Sequence, residues 1–165
     1  MLAACNKSET QRKNIDSKEK ALMEQTKKGK VDTTGVNELL KSYISYADAF
    51  PTDTTGANYL FKAADFYRYM RKPLRSIELY AKIYNNYPTF QKRPYALFLQ
   101  GFIFENEVGN LDSARAKYQQ FLAVYPDHAI SHDVKITLNN LGKKPDELVQ
   151  EFEAKAKADS AKANP

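Results

Sequence analysis

The chain has a single cysteine, Cys5, which excludes an internal disulfide framework and any zinc site built on cysteine. Tryptophan is absent, and only 6 Gly and 7 Pro punctuate 165 residues, so long regular elements are expected rather than many short strands. No run of about 18 apolar residues occurs, so no segment of this chain is expected to span a membrane. There is no glycine-rich phosphate loop, and no Ser, Cys or Lys stands in a recognisable nucleophile context. Glu105 and Glu107 are two residues apart and cannot face one another on an α-helix. His128 and His132 have the spacing of two metal ligands on one helix face, but no further histidine pair or carboxylate partner completes a site. The expectation is a protein without catalytic activity, cofactor, bound metal or small-molecule substrate.

What is present begins with an uneven charge. The net charge is +5, and residues 1–30 carry most of it: Lys7, Arg12, Lys13, Lys18, Lys20, Lys27, Lys28 and Lys30 against Glu9, Asp16, Glu19 and Glu24. The rest is almost balanced. A nucleic-acid binder would carry its positive stripe on the folded body, so no nucleic-acid partner is expected, and the basic leader reads as a solvated tether. Residues 6–14 have no apolar member and predict a flexible spacer. Apolar residues make up 42% of the chain, enough for one core.

A repeat sets the fold. Tyr43, Tyr80 and Tyr118 each stand eight residues before a proline, at Pro51, Pro88 and Pro126. One residue before each proline is Phe50, Tyr87 or Tyr125, and five before is Tyr46, Ile83 or Phe121. These offsets share one face of a helix that ends where proline stops the hydrogen-bond ladder. Each block is the second helix of a hairpin. The first helices are expected over residues 57–70 and 94–108, and a further hairpin over 129–141 and 145–158. Gly109 suits a left-handed helix end with Asn110 capping the next helix, while Pro73 and Pro145 suit first turns.

A helical hairpin recurring at this length resembles the tetratricopeptide repeat, over roughly residues 36–152. Leu60, Ala63, Ala64 and Tyr67 match that family's first-helix signature, and Ser76, Tyr80 and Pro88, with Ala114, Tyr118 and Pro126, match its second. The interval from Gly101 to Gly109 is one residue longer than the family's, which predicts a local bulge. The resemblance implies an all-α, short superhelix of stacked antiparallel hairpins. It also implies a protein-binding groove lined by the first helices, mapping to Asn58, Phe61, Asp65, Arg68 and Tyr69 on one and to Phe98, Phe102, Glu105 and Asn106 on the next.

Leu2-Ala3-Ala4-Cys5 resembles the lipobox of bacterial lipoproteins, which implies that Cys5 carries a lipid. No charged and apolar stretch precedes it, as would follow from a trimmed or miscalled start. Repeat and lipobox together, with Phe102-Ile103-Phe104-Glu105-Asn106-Glu107 and Tyr125-Pro126-Asp127-His128, resemble small periplasmic tetratricopeptide lipoproteins of Gram-negative bacteria, Bacteroidetes in particular. The expected layout is a lipobox-like N-terminus and tether over 1–14, a helical repeat domain over 15–158 and a disordered tail over 159–165. The expected function is a non-catalytic scaffold, held in the outer membrane through lipidated Cys5 and facing periplasmic protein partners. A structural subunit of a large envelope or secretion assembly and a soluble intracellular adaptor stay open as alternatives.

Overall fold

A computed structural model describes residues 2–30 and 32–163. Among the described residues eight α-helices follow one another: α1 (Leu2–Lys27), α2 (Thr33–Ala49), α3 (Thr54–Tyr69), α4 (Pro73–Asn86), α5 (Arg93–Ile103), α6 (Leu111–Val124), α7 (Ser131–Asn140) and α8 (Pro145–Ala163). A π-helical turn, Phe104–Val108, continues α5. No strand occurs among the described residues, and the architecture is a stack of antiparallel hairpins of tetratricopeptide type. None of these helices is long and apolar enough to cross a membrane.

The hairpins stack in two layers. First helices touch first helices: Lys62 of α3 pairs with Glu19 of α1 at 2.7 Å, and Arg68 of α3 pairs with Glu107 of the π-helical turn. Second helices touch second helices: Lys82 of α4 pairs with Asp48 of α2, and Gln120 of α6 reaches Tyr84 of α4 at 3.4 Å. Small residues let the layers close. Ala57, Ala63, Ala64, Ala96 and Ala114 are fully buried, together with Leu60, Ile83, Leu97 and Phe121.

The repeated tyrosines are the largest core members, and each has a carboxylate at its hydroxyl. Tyr43, Tyr80 and Tyr118 donate to Glu19, Asp65 and Glu105, on the first helix of the same hairpin. Tyr46 donates to Asp53, whose other oxygen accepts from Thr55 N at 2.8 Å and so caps α3. Burial and the adjacent carboxylates raise the pKa of all four phenols, that of Tyr46 to about 12, so they remain protonated donors at any physiological pH. Each repeated ring thus finds a partner for its polar tip within its own hairpin, and Tyr46 finds one at the start of the next.

Pro73 opens α4, Gly109 takes φ +75, and the Asn110 side chain accepts from Ser113 N at 2.9 Å to cap α6. The bulge implied by the long Gly101–Gly109 interval is the π-helical turn, in which one extra residue is absorbed without breaking the helix. Helix α3 begins at Thr54, three residues ahead of the expected start, because the Asp53 cap lies outside the apolar pattern.

Two expectations differ from the structure. Residues 6–14 are not a flexible spacer but part of α1, which is the first helix of the first hairpin. Ser8 and Ile15 are buried, Leu22 packs on the same core, and Lys18 Nζ donates to Ser42 Oγ at 2.9 Å. The tail expected to be disordered from residue 159 is helical to Ala163, and its last two residues lie outside the described ones.

Ser76 is the one buried side-chain polar group without a hydrogen-bond partner among the described residues. The corresponding place in the next repeat is held by Ala114, also fully buried. Leaving a hydroxyl buried and unpaired costs about 1–3 kcal/mol. Ser76→Ala should therefore raise the unfolding midpoint in urea, and a lower midpoint would show that the hydroxyl has a partner.

Candidate functional site

The first-helix layer opens into a groove of about 800 Å³ lined by Asp65, Arg68, Tyr69, Arg71, Phe102, Asn106 and Glu107. One wall is the C-terminal end of α3 and the other is the end of α5 with its π-helical turn. The floor is rigid. Arg68 is ion-paired to Glu107 and lies 4.9 Å over the ring of Phe102, with side chains 35% and 17% exposed for Arg68 and Glu107. A planar guanidinium held by an aromatic face and a carboxylate is well suited to such a floor.

The rim differs in character. The Tyr69 side chain is 87% exposed, which is unusual for a ring in a core-forming repeat. Arg71 follows the end of α3 with φ +58. Lys72 N donates to Tyr67 O at 2.8 Å around it, a left-handed helix end where glycine is the usual residue. A side chain with Cβ at that conformation costs of order 1 kcal/mol. The π-helical turn opposite is a second departure from regular geometry at the same groove. Such departures concentrate at sites of function.

The π-helical turn also sends two acids to different neighbours. Glu105 accepts from Tyr118 of α6 at 2.6 Å, whereas Glu107 meets Arg68 of α3. Both acids facing the groove region from α3 and the turn are thus engaged, because Asp65 accepts from Tyr80. Among the described residues Arg71 has no carboxylate partner. The unengaged chemistry of the groove is the Arg71 guanidinium and the Tyr69 ring, since Asn106 Nδ2 donates to Phe102 O at 3.0 Å.

The nine residues assigned to the groove from sequence divide. Asp65, Arg68, Tyr69, Phe102 and Asn106 come together in it. Phe61 packs edge-on against Tyr80 at 5.1 Å and near Phe90, with Lys92 Nζ 5.1 Å over its ring. Phe98 lies against Tyr118 and Phe121 in the core between α5 and α6, and Glu105 serves Tyr118. Asn58 is exposed one turn into α3 and hydrogen-bonds its own helix at Thr54 O, 3.4 Å away. Arg71 and Glu107 were missing from that assignment. The Cys5 side chain lies outside the described ones.

His128 does not share a helix with His132. It occupies the turn before α7, its ring edge-on to Tyr95 and Phe121, and accepts from Ile130 N at 3.4 Å.

Two of the carboxylates that serve the tyrosines, Glu19 and Asp53, also make the fold sensitive to acid. For Glu19, burial pushes the pKa up, but hydrogen bonds from Lys62 and Tyr43 and the Lys62 charge outweigh it, leaving it below the ordinary 4.5. Asp53 behaves alike: burial is outweighed by Tyr46 and Thr55, leaving it below 3.8. In both cases the unfolded chain binds the proton more readily. The stabilisation is therefore complete above the ordinary values and is lost as pH falls through the folded ones. The urea midpoint should drop as pH is lowered past 4.5, and Tyr43→Phe should shallow that slope. A midpoint flat across this window would contradict it.

Residues 95–128 match the tetratricopeptide repeat. That stretch is the hairpin of α5, the π-helical turn and α6, and it includes the Phe102, Asn106 and Glu107 wall of the groove. Repeats of this kind typically form protein–protein contacts and are typically non-catalytic. No curated protein matches the chain.

Proposed function

We propose that this protein is a scaffold that seats a segment of another protein in the groove between α3 and the α5 turn, while a lipid on Cys5 holds it at the outer membrane facing the periplasm. The observation that carries the groove reading is the contrast between its floor and rim. Arg68, Phe102 and Glu107 are locked to one another, whereas Tyr69 and Arg71 stand free above them. A rigid floor with exposed aromatic and arginine groups has the make-up of a protein-binding hot spot. The lipid reading rests on Leu2-Ala3-Ala4-Cys5 and on the excess of basic residues that follows it. Because α1 runs from Leu2 into the first hairpin, the anchor would be joined to the repeats by a helix and not by a loose tether.

Crosslinking in intact cells, then pull-down and mass spectrometry, tests the two parts separately. Arg71→Gly is the informative variant. It removes the rim cation and relaxes the left-handed backbone, so the melting temperature should hold or rise while partner capture falls. Tyr69→Ala should weaken capture at unchanged stability, since its ring is 87% exposed. Full capture by both variants would overturn the groove assignment. Cys5→Ser should release the protein from the membrane fraction, and a soluble wild type would overturn the anchor. Recovery in fixed stoichiometry within one large assembly would make it a structural subunit instead.

A further inference from the structure

The last hairpin ends the stack with an uncovered apolar face. Val149 and Phe152 of α8 are 55% and 70% exposed, and Ile136 of α7 is 47% exposed. With Leu148, Asn139, Asn140 and Glu151, Ile136 and Phe152 border a trough of about 340 Å³ between α7 and α8. Helices α1 to α6 each pack on the helix that follows, whereas α8 is tied to the turn before it by the Lys143–Glu151 ion pair at 2.6 Å. Exposed large apolar side chains grouped in this way mark a surface that is covered by something.

The order of residues along α8 says what covers it. Its first half, 145–153, carries Asp146, Glu147, Glu151 and Glu153 and no base. Its second half, 154–163, carries Lys155, Lys157 and Lys162 against Asp159 alone. Size follows the same division: Leu148, Val149 and Phe152 lie in the first half, and Ala154, Ala156, Ala158, Ala161 and Ala163 in the second. Leu148, Phe152 and Ala156 are spaced by four and share one face, with Val149 beside them. A helix that is acidic and bulky at one end, basic and small at the other, is complementary to itself in the antiparallel sense.

We propose that α8 is a self-association surface, and that two copies of this chain pair antiparallel along it about a two-fold axis near Ala154. In this arrangement Phe152 lies over the partner's Ala156, and the acidic first half of each helix runs along the basic second half of the other. By symmetry each contact occurs twice, as an isologous interface requires. The 19-residue helix is about 28 Å long. Together with the trough beside it, that places the interface at the small end of the range of specific ones, about 1,200 Å². Reversible association follows, driven by concentration and weakened by salt. The surface is at the opposite end of the chain from Cys5 and shares no residue with the groove.

Sedimentation equilibrium of the full chain tests this, in reducing buffer so that Cys5 cannot crosslink two copies. The expected result is a shift toward twice the 18.8 kDa monomer mass as concentration rises, reversed by high salt. Phe152→Lys should weaken the dimer at least tenfold with an unchanged circular-dichroism melt, since that ring is solvent-exposed. Two charge reversals complete the test: Glu153→Lys in one chain, Lys155→Glu with Lys157→Glu in the other, both sparing the Lys143–Glu151 pair. Each alone should be mostly monomeric, and an equimolar mixture should recover a heterodimer. A monomer at every concentration, a dimer indifferent to Phe152→Lys, or a mixture that stays monomeric would each overturn the pairing.

Discussion

Replacing Tyr80 by alanine is expected to remove about 3–5 kcal/mol of stability, the range for emptying the site of a fully buried aromatic ring. Tyr80 has no solvent exposure, lies edge-on to Phe61 at 5.1 Å, and reaches Asp65 across the hairpin. Alanine would leave a cavity where α3 and α4 meet. The carboxylate left behind is a smaller concern, because Asp65 borders the open groove and water can take the place of the phenol. The ring should therefore dominate over the hydroxyl. Tyr80→Phe isolates the hydroxyl and should cost about 1 kcal/mol. In a stack where each hairpin leans only on its neighbours, the damage spreads to adjacent units. Hydrogen exchange should accelerate in α3 and α4 first, and then in α5. Urea unfolding of the two variants measures the order. An alanine variant within about 1 kcal/mol of wild type would mean that the repeated tyrosine is not a core element.

That the tyrosine could be found at all comes from the periodicity of the fold. Each second helix meets the same neighbours, so Tyr43, Tyr80 and Tyr118 recur at one offset from a proline and can be aligned without any structure. The hydrogen-bonded acids do not recur in the same way. Glu19, Asp65 and Glu105 lie 24, 15 and 13 residues before their tyrosines, because Glu19 sits farther from the end of its helix, Tyr43 sits deeper in α2, and the π-helical turn rearranges the end of α5. The groove positions implied by the resemblance, Asp65 and Glu105 among them, therefore carry no sign of the hydrogen bonds to the tyrosines. Helix α1 was obscured for a different reason. Ser8, Ile15 and Leu22 are seven apart, a stripe so narrow and so poor in apolar residues that it does not stand out from a solvated segment. Its burial depends on contacts with α2, such as Tyr43 to Glu19, that exist only once the hairpin forms. Arg71 was invisible because arginine gives no sign of a left-handed conformation, unlike Gly109, whose place could be read directly.

The second large effect is expected at Gly101, where the helix and the groove are coupled. A Cβ built there would lie 2.7 Å from Tyr118 Cε1, 2.9 Å from its Cδ1 and 3.2 Å from Lys117 Cβ. The ring cannot retreat: it is fully buried, packed by Phe98 and tied through its hydroxyl to Glu105. Helices α5 and α6 would have to part. Overpacking of this kind costs about 1–3 kcal/mol. Alanine would recover up to about 1 kcal/mol of helix propensity over glycine, and the contact should win because the obstacle is a pinned ring and not the end of a flexible chain. The displacement would not stop at the core. Phe102 is the next residue, and the π-helical turn beyond it carries Asn106 and Glu107, so the Arg68 floor loses its alignment with them. Gly101→Ala should thus lower the melting temperature and partner capture together, whereas Arg71→Gly lowers capture alone. Comparing the two variants separates a groove built by α5 packing from one that merely borders it. A Gly101→Ala protein more stable than wild type would mean that helix propensity had outweighed the contact with Tyr118, and that α5 and α6 are not in close contact at this point.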